Sequence, residues 1–319
     1  MAGTGPTHGN GLRTPPKRYG STRSGPRWGE STALMATGTW FAAVLQWRRT
    51  LNRTERTERT ETAEKTEREF RLWVDEEARP GWANMAIDQT LLDRAEQLGE
   101  RWLRLYRWRP FCLSFGRHEP ATRRYDPVRI AALGIDTVRR PTGGRAVWHA
   151  QELTYAVAAP AAEFGFLRAA YLEIHCMLAQ ALGQIGVPAY LAPQAATPTL
   201  DAGACFTQAV GGEIMCSGRK LVGSAQLRMG NALLQHGSIL LHDEQEVVRN
   251  VTTGAPPPRR APSNTAPWAR ASDIAEAIAA QAQRRWSGSW KRITDHSAIL
   301  SGAAAHHSRF QSSSWTWKR

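Results

Sequence analysis

The sequence predicts an α+β fold with a central mixed, mostly antiparallel β-sheet flanked by helices. Strand-like runs outnumber helical ones, and most follow one another directly instead of through a helical crossover. The patterned region is continuous from 70 to 286, which marks it as a single domain, whereas the flanks carry charge without pattern.

Residues 1–32 are Gly, Pro, Arg and Ser with almost no aliphatic side chains, too little apolar surface to offset the entropy of ordering. The run ALMATGTWFAAVLQW (33–47) is too short to span a bilayer and lacks a small-residue cleavage site. Residues 1–52 therefore read as a disordered basic extension. The triplet repeat over 53–69 places Glu55, Glu61 and Glu64 four residues before Arg59, Lys65 and Arg68. That spacing favours a solvated helix, and with no apolar stripe to dock it the repeat is a spacer.

FRLWV from Phe70 predicts a strand. NMAIDQTLLDRAEQLG predicts a helix with Ile87, Leu91, Ala95 and Leu98 on its buried face. WLRLYRW and CLSFG follow as strands on either side of Pro110, and YDPVRIAALG as a short helix stopped by Gly134. AVWHAQELTYAV reads as one alternating strand, and 165–186 as the longest helix, closed by Gly186 and Pro188. EIMCSGRKLVGSAQL folds back at Ser217-Gly218, setting Cys216 opposite Arg219 and Met215 opposite Lys220; NALLQHGSILL is the next strand. After the proline-rich loop 252–268 comes a helix from ASDIAEAIAAQAQRRW, capped by Ser272 or Asp273. The Ser/His/Trp-rich stretch 287–319 shows no periodicity and is expected to be a poorly ordered tail.

The chain has a formal charge of +13, but residues 1–52 carry seven basic side chains against one acid, and 287–319 five against one. Most of the excess thus lies in the flanks. With no zinc-finger, RRM or heptad pattern, nucleic-acid binding is not expected, nor is a membrane partner. Cys112, Cys176, Cys205 and Cys216 form no CxxC pair and have no histidines at zinc spacing, so no metal site is expected, and a reduced, cytoplasmic setting fits.

Two segments could carry chemistry. In RRPTGGRAVWH, Thr142-Gly143-Gly144 turns or approaches a ligand closely between Arg139, Arg140 and Arg145 on one side and His149 on the other. No Walker or dinucleotide motif is present, so a nucleotide is not written into this loop. In CSGRKLVGSAQ, Lys220 sits between glycines, where an ammonium can bind an anion, lower a thiol's pKa or steady a carbonyl oxygen; an edge lysine that guards the sheet is the plain alternative. Spacing does not choose the thiol that would partner it. Cys176 and Cys112 are expected to pack as buried small hydrophobes.

Together NMAIDQTLL, RWRPFCLSFGR, RRPTGGRAVWHAQELTY, GACF, SGRKLVGSAQ and LQHGSILL resemble the biotin/lipoate protein ligase superfamily, and within it the cysteine-dependent octanoyltransferases of lipoate biosynthesis. In that family a Cys-Phe precedes the motif lysine by fifteen residues, as Cys205-Phe206 precedes Lys220 here. The resemblance implies that Cys205 carries the acyl group and Lys220 lowers its pKa, with Cys216 left as an alternative thiol. It implies octanoyl-acyl carrier protein as donor and lipoyl domains, of the glycine cleavage H protein or E2 subunits, as acceptors, with no cofactor. ATP and magnesium enter only if the chain is instead a lipoate or biotin ligase, against which Arg145 in place of a third glycine argues. A cysteine enzyme moving octanoyl groups between lipoyl domains and a non-catalytic carrier-binding module are further alternatives.

The binding positions implied are Arg139, Arg140, Thr142, Gly143, Gly144, Arg145, His149, Gly223, Ser224, Ala225, His236 and Gly237. Gly143 and Gly144 are expected to border the acyl chain, Arg139 and Arg140 to orient this edge or meet an acidic carrier, and His149 to line the entrance. The pattern departs at Ala150, where the family carries an acid, so no carboxylate is expected behind His149.

Overall fold

The computed structural model describes residues 68–193, 211–254 and 269–318. The extension, most of the repeat and Cys205 lie outside them.

β1 (Glu69–Val74) leads into α1 (Gly81–Leu98), then β2 (Arg101–Tyr106) and β3 (Cys112–Phe115). Two short helices follow, α2 (Ala121–Arg124) and α3 (Pro127–Ala132), the second started by Asp126, whose carboxylate accepts from the amides of Val128 and Arg129. Next come β4 (Asp136–Arg139), β5 (Val147–His149), β6 (Glu152–Pro160), α4 (Leu167–Gln184), β7 (Ala189–Leu191), β8 (Ile214–Cys216), β9 (Arg219–Met229) and β10 (Ala232–Leu240). The chain closes with α5 (Glu246–Asn250), α6 (Ala271–Arg285), β11 (Ser289–Arg292), α7 (Ser297–Gln311) and α8 (Ser313–Thr316).

Eight strands form one sheet in the order β11-β1-β2-β6-β10-β9-β8-β7, and three form a second in the order β4-β3-β5. β1 pairs parallel with both neighbours, and every other pair of the large sheet is antiparallel. The mixed, mostly antiparallel sheet matches expectation; the second sheet does not. The run AVWHAQELTYAV is not one strand. It breaks at Ala150-Gln151, so that β5 pairs with β3 while β6 pairs with β2 and β10. The hairpin turns at Ser217-Gly218, with φ of 48° and 75°, and sets Cys216 opposite Arg219 and Met215 opposite Lys220 as expected.

Both faces of the large sheet are covered. Along β6, Tyr155 and Val157 face α4 and α6, whereas Ala156 and Ala158 face α1. A strand buried on both sides reads as continuously apolar instead of alternating. α1 is enclosed on more than one side, since Asn84, Asp88, Gln89 and Thr90 are buried along with Met85, Ile87, Leu91 and Ala95. Leu98, expected on the buried face, is 61% exposed because the helix runs past the sheet edge there.

The segment 287–319 is not a loose tail. β11 extends the sheet beside β1, and α7 lies on α1 with Ile299, Ala303 and Phe310 in the shared core. Full burial of a side chain such as Ile299 or Phe310 contributes about 1.5–3 kcal/mol, enough to offset ordering about one or two residues. Its stripe escaped notice because only Ile299 and Phe310 among its inward positions are large and apolar, the others being Gly302, Ala303, His306 and His307. α6 also starts differently: Arg270 takes the cap position with no side-chain cap, and its guanidinium pairs with Asp273 instead. No described helix is long and apolar enough to cross a membrane.

Candidate functional site

A pocket opens between the two sheets. Met85 of α1, Tyr106 of β2 and Trp108 line it with Ser114 of β3, His149 of β5 and Thr154 of β6, all buried. Gly144 is exposed and Ser224, Ala225 and Gly237 are half-buried, which puts the mouth where β9 and β10 pass the glycine loop. Gly144 has φ of +90°, and its carbonyl would lie 1.9 Å from a Cβ placed on Gly116. Two backbones therefore touch at the rim, and only glycine at 116 permits it.

Two histidines face this cavity, each held by a buried carboxylate. Glu152 Oε1 lies 2.8 Å from His149 Nδ1, and Asp88 Oδ2 lies 2.8 Å from His236 Nδ1. Because a carboxylate accepts, Nδ1 donates to it in each pair, which turns Nε2 toward a hydroxyl. Ser114 Oγ meets His149 Nε2 at 2.7 Å, and Thr142 Oγ1 meets His236 Nε2 at 2.6 Å. The His149 ring also stacks on Trp108 with centroids 3.9 Å apart. Asp88 further accepts from Tyr106 Oη and from Arg104 Nη1, and burial followed by the Asp88 charge pushes the Tyr106 phenol well above its ordinary range.

The absent acid after His149 is thus replaced from two residues further on, and the expectation that no carboxylate orients this ring is corrected. The break between β5 and β6 turns Glu152 back toward His149, a geometry a single strand would forbid because residues three apart point to opposite faces. His149 is also deep in the cavity instead of at its entrance.

Across β9, on the side of α4, a second polar chain runs. His175 Nδ1 donates to the Gly212 carbonyl at 2.7 Å, so its Nε2 accepts from Ser224 Oγ at 2.8 Å. Ser224 Oγ in turn meets Tyr155 Oη at 2.7 Å, and Gln235 donates to that phenol at 2.8 Å. Burial, against the Gly212 bond and with help from Lys220, pushes His175 down to about 4, so the ring is neutral at pH 7. Lys220 Nζ donates to Glu213 Oε1 at 2.6 Å, with both side chains buried.

The structure brings Arg140, Gly144, His149, Gly223, Ser224, Ala225, His236 and Gly237 to the cavity. Thr142 stands behind His236, and Gly143 and Arg145 lie in the same loop outside the lining residues. Lys220 is not among the lining residues either; it sits against Glu213, three residues before Gly223 along β9. Arg139 and Arg140 are not placed to meet an acidic carrier, since both are buried. Arg140 binds Ser114 O, Gly143 O and Arg145 O. The Arg139 guanidinium donates to Gly116 O, Arg117 O and Glu119 O on one side and to Trp315 O, Thr316 O and Lys318 O on the other.

Three thiols are described, none in a disulfide. Cys216 packs in the core under α4, burial pushes Cys112 well above the usual thiol range, and burial also raises half-buried Cys176, which is less enclosed than expected. Sequence reasoning missed Asp88, Glu152, Ser114, Glu213 and His175. Asp88 gave a signal, an acid among the apolar positions of α1; the others acquire meaning only through partners distant in the chain.

The family model for the lipoyl protein ligase A/B catalytic domain matches residues 80–283. Among curated relatives, the chain is 40% identical over 166 residues to the octanoyltransferase LipM of Moorella thermoacetica, covering 50% of this chain and 61% of that protein. It is 40% identical over 183 residues to octanoyltransferase LipM of Symbiobacterium thermophilum, covering 55% and 66%. The aligned part thus spans less than two thirds of these relatives. Among solved structures, a lipoate-protein ligase A bound with ATP aligns with a TM-score of 0.66 at 18% identity, over 78% of this chain and 98% of that one. A bipartite lipoate protein ligase from Thermoplasma acidophilum aligns with a TM-score of 0.59 at 16% identity, over 79% and 96%. At such identities the structural likeness establishes the fold, two sheets enclosing one cavity, and the sequence match establishes descent: this chain belongs to the lipoyl protein ligase A/B catalytic domain family.

Proposed function

We propose that the protein is a cytoplasmic octanoyltransferase that works through a cysteine thioester. The Cys205 thiolate attacks the carbonyl of octanoyl-acyl carrier protein, forming octanoyl-S-Cys205 and releasing the carrier thiolate, which takes up a proton. A lysine amine of a lipoyl domain then attacks the new thioester, giving an amide and returning the Cys205 thiol. A thiol suits both halves because it is a good nucleophile and a good leaving group. Lys220 lowers the Cys205 pKa and steadies the carbonyl oxygen, and the cavity between the sheets takes the alkyl chain. No ATP is consumed.

The observation that carries this reading is the 40% identity over 166 residues to a protein named octanoyltransferase. Three features agree with it: a pocket between the sheets lined in part by Tyr106 and Trp108, a buried lysine on the strand that borders its mouth, and Arg145 at the third position of the glycine run. The ligase bound with ATP shares the fold and keeps a second reading in view.

Incubation with octanoyl-acyl carrier protein in the absence of ATP, followed by intact mass measurement, tests the proposal. The expected result is a gain of one octanoyl group, released by hydroxylamine, missing in Cys205→Ser and much slowed in Lys220→Ala. Acylation of a lipoyl domain from free octanoate that requires ATP makes the chain a ligase, and binding of carrier with no acyl gain makes it a binding module.

A further inference from the structure

Four arginines are buried in the described residues: Arg104, Arg139, Arg140 and Arg145. Three hold buried acceptors. Arg104 binds Asp75 and Asp88, Arg139 the carbonyls of two loops, and Arg140 the carbonyls of its own loop and Ser114. Arg145 differs. It is 8% exposed, and its Nη1 is enclosed without a hydrogen-bond partner. Among the described residues its guanidinium makes no ion pair at all.

Such a group is costly. A guanidinium cannot shed its charge by deprotonation, and its desolvation is repaid only by an anion or several acceptors. Nη1 is itself shut off from solvent, but a buried guanidinium with no counter-charge calls for an explanation, and an external anion at the remaining nitrogens supplies one. Place and chemistry narrow the choice. Arg145 directly follows Gly144, the exposed glycine of the cavity mouth, and its own carbonyl is fixed by Arg140 Nη2 at 2.7 Å. The backbone that carries the open guanidinium is thus anchored at the rim through which a substrate enters. Nη1 is enclosed, whereas Nε and Nη2 are not among the enclosed unpartnered atoms, so part of the fork stays within reach.

We propose that Arg145 binds the phosphate of the phosphopantetheine arm on which the acyl group arrives. This inference rests on the octanoyl-transfer reading above. In that reaction the alkyl chain is neutral and the acceptor amine is cationic when free, so the phosphodiester of the arm is the anion brought to the mouth with the donor. A planar fork matches phosphate oxygens in a bidentate way that an ammonium does not reproduce. Arg145 is therefore a donor-recognition residue, and the first half-reaction depends on it more than the second.

The test uses the full chain and two small donors, octanoyl-pantetheine and octanoyl-4′-phosphopantetheine, with loading followed by intact mass. The unaltered protein is expected to load from the phosphorylated donor with kcat/KM about 10- to 150-fold higher, the range of a charge-assisted hydrogen bond. Arg145→Gln is expected to bring that ratio close to one, and Arg145→Lys to keep part of it. Phosphopantetheine without an acyl group should inhibit loading from octanoyl-pantetheine in the unaltered protein and lose that effect in Arg145→Gln. Thermal melting of each variant checks that it folds. A ratio near one in the unaltered protein overturns the proposal, as does a ratio that Arg145→Gln leaves intact because both donors slow equally. Loading from neither donor nor from octanoyl-acyl carrier protein removes the acyl-transfer reading itself, and this inference with it.

Discussion

Replacing His175 with glutamine should remove a defined part of the acid sensitivity of the fold. In the native protein the ring is fully enclosed by α4 and β9, gives its Nδ1 proton to Gly212 and accepts from Ser224. Burial pushes it from 6.5 down to about 4. A folded-state value below the unfolded one means that the unfolded chain takes up the proton first as pH falls. The stability tied to the neutral ring is complete above pH 6.5 and is lost between 6.5 and 4. At pH 4.5 the linkage amounts to about 2.5 kcal/mol, since that pH lies about 2 units below the unfolded value, each unit is worth about 1.4 kcal/mol, and partial protonation of the folded ring takes back a little. Urea denaturation of both proteins at intervals from pH 7.5 to 4.5 measures it, and the difference between their slopes cancels the carboxylates they share. Glutamine costs some stability at pH 7.5 through poorer bonding to Gly212 and Ser224, but its curve should fall less steeply by about that amount. Parallel curves would refute the reasoning and place a proton on His175 in the folded state.

Further outcomes follow from the glycine contact at the rim and from the inner end of the cavity. Gly116→Ala sets a Cβ 1.9 Å from the Gly144 carbonyl and should cost about 1–3 kcal/mol in urea denaturation; Gly143→Ala meets no heavy atom within 4 Å and should stay within about 0.5 kcal/mol. Met85 is, with Val147, a buried aliphatic side chain of the lining, whereas Tyr106 is tied to Asp88 and Trp108 to Thr154. Met85→Ala should raise the preference for a decanoyl over an octanoyl donor by roughly 4- to 15-fold, at about fourfold per added methylene. Competition between the two donors, read by mass, checks it, and an unchanged preference means that Met85 does not bound the chain.

Local chemistry made much of this fold legible. The hairpin at Ser217-Gly218 follows from residues that tolerate left-handed backbone, whereas reading AVWHAQELTYAV as one alternating strand misses the two-sided burial of β6. Arg140, His149 and His236 line the pocket, with His149 deep in it instead of at the expected entrance. What stayed hidden depends on partners far along the chain. Nothing near Glu152 says that a break between two sheets will aim it at His149, and nothing in α7 says that α1 waits to receive Ile299, Ala303 and Phe310. Arg139 looked like a surface charge because arginine usually is one; its carbonyl partners near Gly116 and Trp315 come from segments that a local reading treats as unrelated.

Arg139 also sets an order of assembly. Its guanidinium joins carbonyls at 116–119 to carbonyls at 315–318, so the rim of the cavity gains its last tie only when the far end of the domain has been made. On the ribosome, the sheet from β1 to β10 can form while those carbonyls still face water. A chain that stopped before Trp315 would leave the Arg139 guanidinium with its acceptors at 116–119 alone, so the rim is held from both ends of the domain.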